Sequence, residues 1–116
     1  MFARYESFRA SFSYFNPLYL SITLLGFGSN YSGFNGEWPL NETRGLSDGY
    51  GVYEITSNGS SQKWLLHHRS DSEFYQWHIR YEFHQFSDCF CQNLNDCDWY
   101  CWDGADYTYY PGASSR

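Results

Sequence analysis

Apolar and polar residues alternate with a period of two along most of this chain. From Tyr5 to Phe15, Glu6, Phe8, Ala10, Phe12 and Tyr14 fall on one side of an extended strand, with Ser7, Arg9, Ser11 and Ser13 on the other. After the Asn16-Pro17 punctuation, Leu18, Leu20, Ile22 and Leu24 alternate with Tyr19, Ser21 and Thr23. That run is apolar enough for a core strand and too short to span a membrane. Gly51 to Thr56, Lys63 to His68 and Gln76 to Phe86 repeat the pattern. In the last of these, Trp77, Ile79, Tyr81 and Phe83 share a face against His78, Arg80, Glu82 and His84, as in a sheet wetted on one side. Asn58-Gly59 between two such runs signals a hairpin. Helical spacing is absent. The pattern predicts an all-β domain, an antiparallel, sandwich-like sheet with a long N-terminal strand segment and a loop-rich C-terminal tail.

The N-terminal segment is too long to lie straight at home. Tyr5 to Leu25, fully extended, spans about 70 Å, against a gyration radius of about 13 Å for a compact domain of this size. Either Asn16-Pro17 folds it into a hairpin, or it completes the sheet of a second copy by β-augmentation, a head-to-tail contact that propagates into a fibre. This reading divides the chain into a strand segment, 1–28, and a single β domain, 29–116, whose tail is 88–116. Phe8, Phe12, Tyr14, Leu18, Leu20, Ile22 and Leu24 are then the self-assembly residues. Arg4, Arg9, the Leu18 to Leu25 run and Gly26-Phe27-Gly28 also mimic the regions of a secretory signal. The strict alternation upstream, however, is not a signal-peptide feature.

Four cysteines, Cys89, Cys91, Cys97 and Cys101, crowd the tail, and the chain has no others. An even number in a short chain reads as local disulfides formed in an oxidising compartment. Pairing Cys89 with Cys91 closes too small a ring. That leaves Cys89–Cys101 with Cys91–Cys97, or the crossed arrangement. A four-thiolate zinc site is disfavoured because its usual pairs of C-x2-4-C separated by a longer loop are missing. Asn30-Tyr31-Ser32, Asn41-Glu42-Thr43 and Asn58-Gly59-Ser60 fit the acceptor pattern for N-linked glycan, in stretches that read as exposed turns. Cysteines and sequons together point to a secreted, extracellular glycoprotein.

Composition narrows the partners. The net charge of −6 argues against nucleic acid, and Lys63 is the one lysine. Asp88, Asp96, Asp98, Asp103 and Asp106 gather in the tail, where calcium is the sharper reading and a solvated acidic face the plainer one. Aromatic residues make up 23% of the chain, a density that suits twisted sheets and adhesive surfaces.

Asn35-Gly36-Glu37-Trp38, Gly51-Val52-Tyr53, Trp64-Leu65-Leu66 and Trp77-His78-Ile79 follow one another through the middle of the chain. This stretch, roughly Gly33 to Ile79, resembles a small aromatic module, N-G-x-[YW], V-Y, aromatic-L and W-x-I, of secreted and cell-surface eukaryotic proteins. The resemblance implies a β-meander and an extracellular location without assigning an activity. The chain holds a single copy where such proteins often hold several.

No catalytic constellation emerges, and the expectation is that the protein is not an enzyme. Gly45-Leu46-Ser47-Asp48-Gly49 matches G-x-S-x-G, but no helix follows to make a nucleophile elbow of it. His67 and His68 point to opposite sides of a strand, and His78 and His84 stand about 20 Å apart if the strand continues. Glu37, Glu54 and Glu73 have no fixed separation that would mark a glycosidase pair. Two roles remain: a structural subunit that assembles with copies of itself through the N-terminal strand, and a carbohydrate-binding module. The latter would use aromatic rings of the tail, Trp99, Trp102, Tyr107 and Tyr109 foremost, with Tyr100 and Tyr110 beside them.

Overall fold

The computed structural model describes residues 3–5, 19–56, 61–69, 77–92, 94 and 98–115. The predicted strand from Tyr5 to Phe15 falls almost wholly outside these residues. The first sheet is built on β2, Tyr19–Leu25, where the predicted alternation is realised with Ile22 and Leu24 completely buried. One edge of β2 pairs with β3, Gly36–Pro39, and Ile22 stands opposite the fully buried Trp38. The other edge is shared by β1, Ala3–Tyr5, and β12, Ser114–Ser115. Residues 19–25 are therefore integral to a sheet that also uses strands from the middle and end of the chain.

The second sheet is an antiparallel meander of six strands in spatial order β11-β10-β9-β8-β7-β6. They are β6 (Tyr53–Thr56), β7 (Lys63–His68), β8 (Trp77–Tyr81), β9 (Cys89–Cys91), β10 (Tyr100–Trp102) and β11 (Tyr107–Tyr109). A bridge between Leu40 and Tyr53 links β3 to β6 and brings the two sheets edge to edge. β4 (Leu46–Ser47) and β5 (Tyr50–Gly51) form a small hairpin. Its two turn residues, Asp48 and Gly49, have φ of 61° and 83°, the left-handed pair that a tight hairpin demands, so the G-x-S-x-G match is turn chemistry.

Register sorts the meander into two faces. Tyr53, Leu66, Ile79, Cys89 and Cys101 lie in one transverse row, all at most 2% exposed, and form the floor of the core with Trp38 and Trp99. Cys89 and Cys101 are joined by a disulfide across β9 and β10, with Cα atoms 4.1 Å apart. The neighbouring Trp102 N–H donates to the Asp88 carbonyl, which leaves Cys89 and Cys101 in the close, non-hydrogen-bonded position of the ladder. Their pairing excludes the crossed arrangement. Cys91 is also disulfide-bonded, and Cys97 lies outside the described residues.

Two departures from the predicted pattern have local causes. β8 ends at Tyr81 rather than running to Phe86 because the Arg80 guanidinium gathers the carbonyls of Glu82 at 3.0 Å and His84 at 2.9 Å, turning the chain back. Phe83 consequently stands out in solvent, and His84 stacks on Phe86 rather than sharing a face with His78. The returning loop also covers the face expected to be wet. His78 Nδ1 lies 2.7 Å from Ser87 Oγ, and both His67 and His78 are buried.

The stretch bearing the module-like motif has a local logic of its own. The Asn35 carboxamide clamps the Phe27 backbone, accepting from its N–H at 2.9 Å and donating to its carbonyl at 2.6 Å. Gly36 takes φ of 120°, which side-chain-bearing residues rarely adopt, and so lets Trp38 turn into the core.

Candidate functional site

β9, β10 and β11 alternate about the disulfide, so parity decides which aromatic residues are available. Trp99 and Cys101 point inward, Trp99 with no exposed surface and its ring 5.5 Å from that of Phe27. Tyr100 and Trp102 point outward, each 37% exposed, and Tyr109 is 53% exposed. Phe90, Tyr100 and Tyr109 occupy successive strands in one row, and Trp102 sits opposite Tyr107. Ring centroids run 5.7 Å from Phe90 to Tyr100, 5.7 Å from Tyr100 to Tyr109 and 5.2 Å from Trp102 to Tyr107. The first pair is nearly parallel, at 17°. Cross-strand aromatic pairs of this kind hold the surface rigid, each contributing about 0.2–1 kcal/mol to the sheet. The result is an aromatic face on the outside of the meander, open at Tyr100, Trp102 and Tyr109, with Phe90 buried behind it at 5% exposure.

The phenol groups anchor its rim. Tyr107 donates to the Ser87 carbonyl at 2.5 Å, and Tyr31 donates to the Trp102 carbonyl. Burial raises the Tyr107 phenol above its ordinary range, and the charge of Asp88 adds to the effect. Asp98 lies 3.4 Å from the Tyr109 hydroxyl and raises that pKa by charge repulsion. At the β10–β11 turn, Asp103 Oδ1 accepts from the N–H groups of Ala105 and Asp106 at 2.9 Å and 2.8 Å. Those bonds hold its carboxyl below the usual range and commit that oxygen to the turn. No group of three or more potential metal ligands occurs among the described residues. No family model, curated protein or solved structure matches this chain. The functional reading therefore rests on its own residues.

The other sequence-predicted residues distribute as follows. Asn30 is exposed. Asn41 caps the short 3-10 turn Glu42–Arg44, accepting from Thr43 Oγ1 at 2.6 Å while its Nδ2 donates to Glu54 at 3.0 Å. Asn58 lies outside the described residues, as do Phe8, Phe12, Tyr14, Leu18, Glu73 and Asp96. Leu20, Ile22 and Leu24 sit in the doubly paired strand β2. Tyr110 links distant parts of the chain, its hydroxyl donating to the Gly28 carbonyl at 2.7 Å and accepting from the Gly28 N–H at 2.9 Å.

Glu54, His67, His68 and His78 are committed to structure, whereas Glu37 is exposed on β3. Burial would lift Glu54, but hydrogen bonds from Arg44 and Asn41 hold it below the ordinary carboxylate range. Arg44 bridges Glu54 and Glu82 at 2.5 Å and 2.8 Å. His68 pairs with Asp48 at 3.0 Å and stacks on Tyr50, away from His67. Sequence reading did not single out Phe90, which backs the aromatic surface, or Tyr31, which bonds to its rim. Parity about Cys89 gives Phe90, since it lies between two inward-facing cysteines. Tyr31 arrives from a segment remote in sequence and carries no local signal.

Proposed function

We propose that the protein is an extracellular module that binds neutral glycans on the aromatic face formed by Tyr100, Trp102, Tyr107 and Tyr109. The observation that carries this reading is the contiguity of partly exposed rings on the adjacent strands β10 and β11, which the disulfide braces to β9. Flat rings offer apolar faces to the C–H surfaces of sugars, and the phenols and nearby carboxylates can exchange hydrogen bonds with hydroxyls. The net charge of −6 favours neutral over anionic polysaccharides. The disulfide is consistent with an oxidising compartment, and Asn30 is the freely presented N-glycan acceptor among the described residues.

Affinity electrophoresis in gels containing neutral polysaccharides tests the reading. Wild type is expected to be retarded, and Trp102→Ala to lose at least about tenfold in affinity, roughly 1.4 kcal/mol. Unchanged retardation of Trp102→Ala, or no retardation of wild type on any neutral glycan, refutes it.

A second reading, assembly into a homopolymeric extracellular filament, draws support from β11, which among the described residues ends the six-stranded sheet and presents an edge. Because β2 is committed within its own sheet, the donor would be residues 6–18. Electron microscopy of the unreduced protein before and after deletion of Met1 to Phe15 decides it: fibres that survive the deletion, or that never form, defeat the filament.

A further inference from the structure

Beside the aromatic face lies a pocket of about 290 Å³, lined among the described residues by Asn30, Tyr31, Gly33, Phe34, Trp64 and Asp88. It opens between the 3-10 turn Ser29–Phe34, β7 and the start of β9. Aromatic rings make up its apolar part: Phe34 meets Trp64 edge to face at 5.3 Å, and Tyr31 lies 5.9 Å from Phe34. Asp88 is the one acidic side chain in this lining. Its Oδ2 is buried and has no hydrogen-bond partner. Burial pushes the carboxyl above its ordinary range, with the His84 charge acting in the opposite sense.

A buried oxygen without a partner carries its full desolvation penalty, and a buried carboxylate is tolerated where a cation faces it. Among the described residues, the neighbouring phenols and the partly buried Arg80 guanidinium are spent elsewhere. The two phenols whose ionisation Asp88 opposes, Tyr31 and Tyr107, direct their O–H bonds to the carbonyls of Trp102 and Ser87. Arg80 is engaged by loop carbonyls and by His67.

We propose that this pocket binds a small organic cation, an alkylated ammonium group seated among Tyr31, Phe34 and Trp64 with Asp88 as its counter-charge. Ring faces attract such cations through their quadrupoles, most strongly when desolvated. The surroundings are negative as well, since Asp103 joins Asp88 in raising the Tyr31 phenol. A neutral polyol fits the lining less well. Apart from the Tyr31 hydroxyl, already spent, its described lining offers Asn30, Asp88 and the single indole N–H of Trp64 as polar groups. The site is independent of the glycan-binding reading and shares no ring with that surface.

The full chain is titrated with choline and, separately, with its uncharged tert-butyl isostere, following tryptophan fluorescence and heat. Choline is expected to saturate and to bind at least tenfold tighter than the isostere. Asp88→Asn, which keeps the side-chain shape and the backbone bonds to Ile79 and Trp102, is expected to weaken choline at least tenfold. Trp102→Ala leaves choline binding unchanged, so failure here is distinguishable from failure on the aromatic face. Equal affinity for the two probes, no saturation by choline, or an unchanged choline affinity in folded Asp88→Asn overturns the proposal. Should Asp88→Asn not fold, the comparison of the two probes on wild type decides alone.

Discussion

Acidification should destabilise this fold through one histidine. His67 is buried on the covered face of the meander, where its Nε2 accepts from Arg80 Nε at 3.0 Å. Burial first, then the positive charges of Arg80, His78 and Arg69, lower its pKa from 6.5 to about 3. The sign follows from linkage. Below pH 6.5 the unfolded chain takes up a proton that the folded protein refuses until about pH 3, so stability falls as pH falls through that window. The loss grows by about 1.4 kcal/mol per pH unit and reaches about 2 kcal/mol at pH 5 relative to pH 8. Urea unfolding followed by tryptophan fluorescence at both pH values, on wild type and His67→Gln, isolates it. Glutamine can still accept from Arg80 but does not titrate, so its stability should drop by about 2 kcal/mol less than that of wild type. An identical drop in both proteins would show that His67 is not held neutral by its surroundings.

Three further outcomes are expected. Replacing both Cys89 and Cys101 by alanine removes a cross-link over a separation of 12 residues and should cost about 3 kcal/mol, read from denaturant midpoints under non-reducing conditions. Gly26→Ala should cost at least about 2 kcal/mol by thermal unfolding, because Gly26 has φ of 83° and an added Cβ would fall 1.8 Å from the Gly112 carbonyl oxygen; near-native stability would mean that this approach of two backbones is not tight. Trp102→Ala, by contrast, removes a ring that is 37% exposed and should change stability by less than about 1.5 kcal/mol while abolishing glycan retardation.

Alternation made the strands legible where backbone pairing alone decides them. β7 coincides with the run from Lys63 to His68, and the opposite orientations of His67 and His68 follow from parity. Alternation failed where a side chain reorganised the backbone, as Arg80 does beyond Tyr81 by collecting carbonyls that a continuing strand would have used elsewhere. It also could not tell a solvated face from one roofed by a loop, which is why His78 reads as wet and is buried. For the aromatic face, composition identified the region but ranked Trp99 with Trp102. Counting outward from Cys101, inward-facing because it is disulfide-bonded to Cys89, separates the buried ring from the exposed one. The pocket at Asp88 was illegible because its lining converges from three separated stretches of chain, at residues 30–34, 64 and 88.

β2 receives a partner at residues 36–39 and another at residues 114–115, the latter about 90 positions away. Such a strand cannot be completed by neighbours in order of synthesis; its last hydrogen bonds wait on an encounter between remote stretches, which slows folding relative to the locally connected meander. The expected kinetics are a fast phase in which the meander zips from one hairpin to the next and a slower one in which β12 reaches the edge of β2. During that interval the greasy flank of β2 is bare, so crowding by other unfinished copies is the hazard to which this architecture is most open.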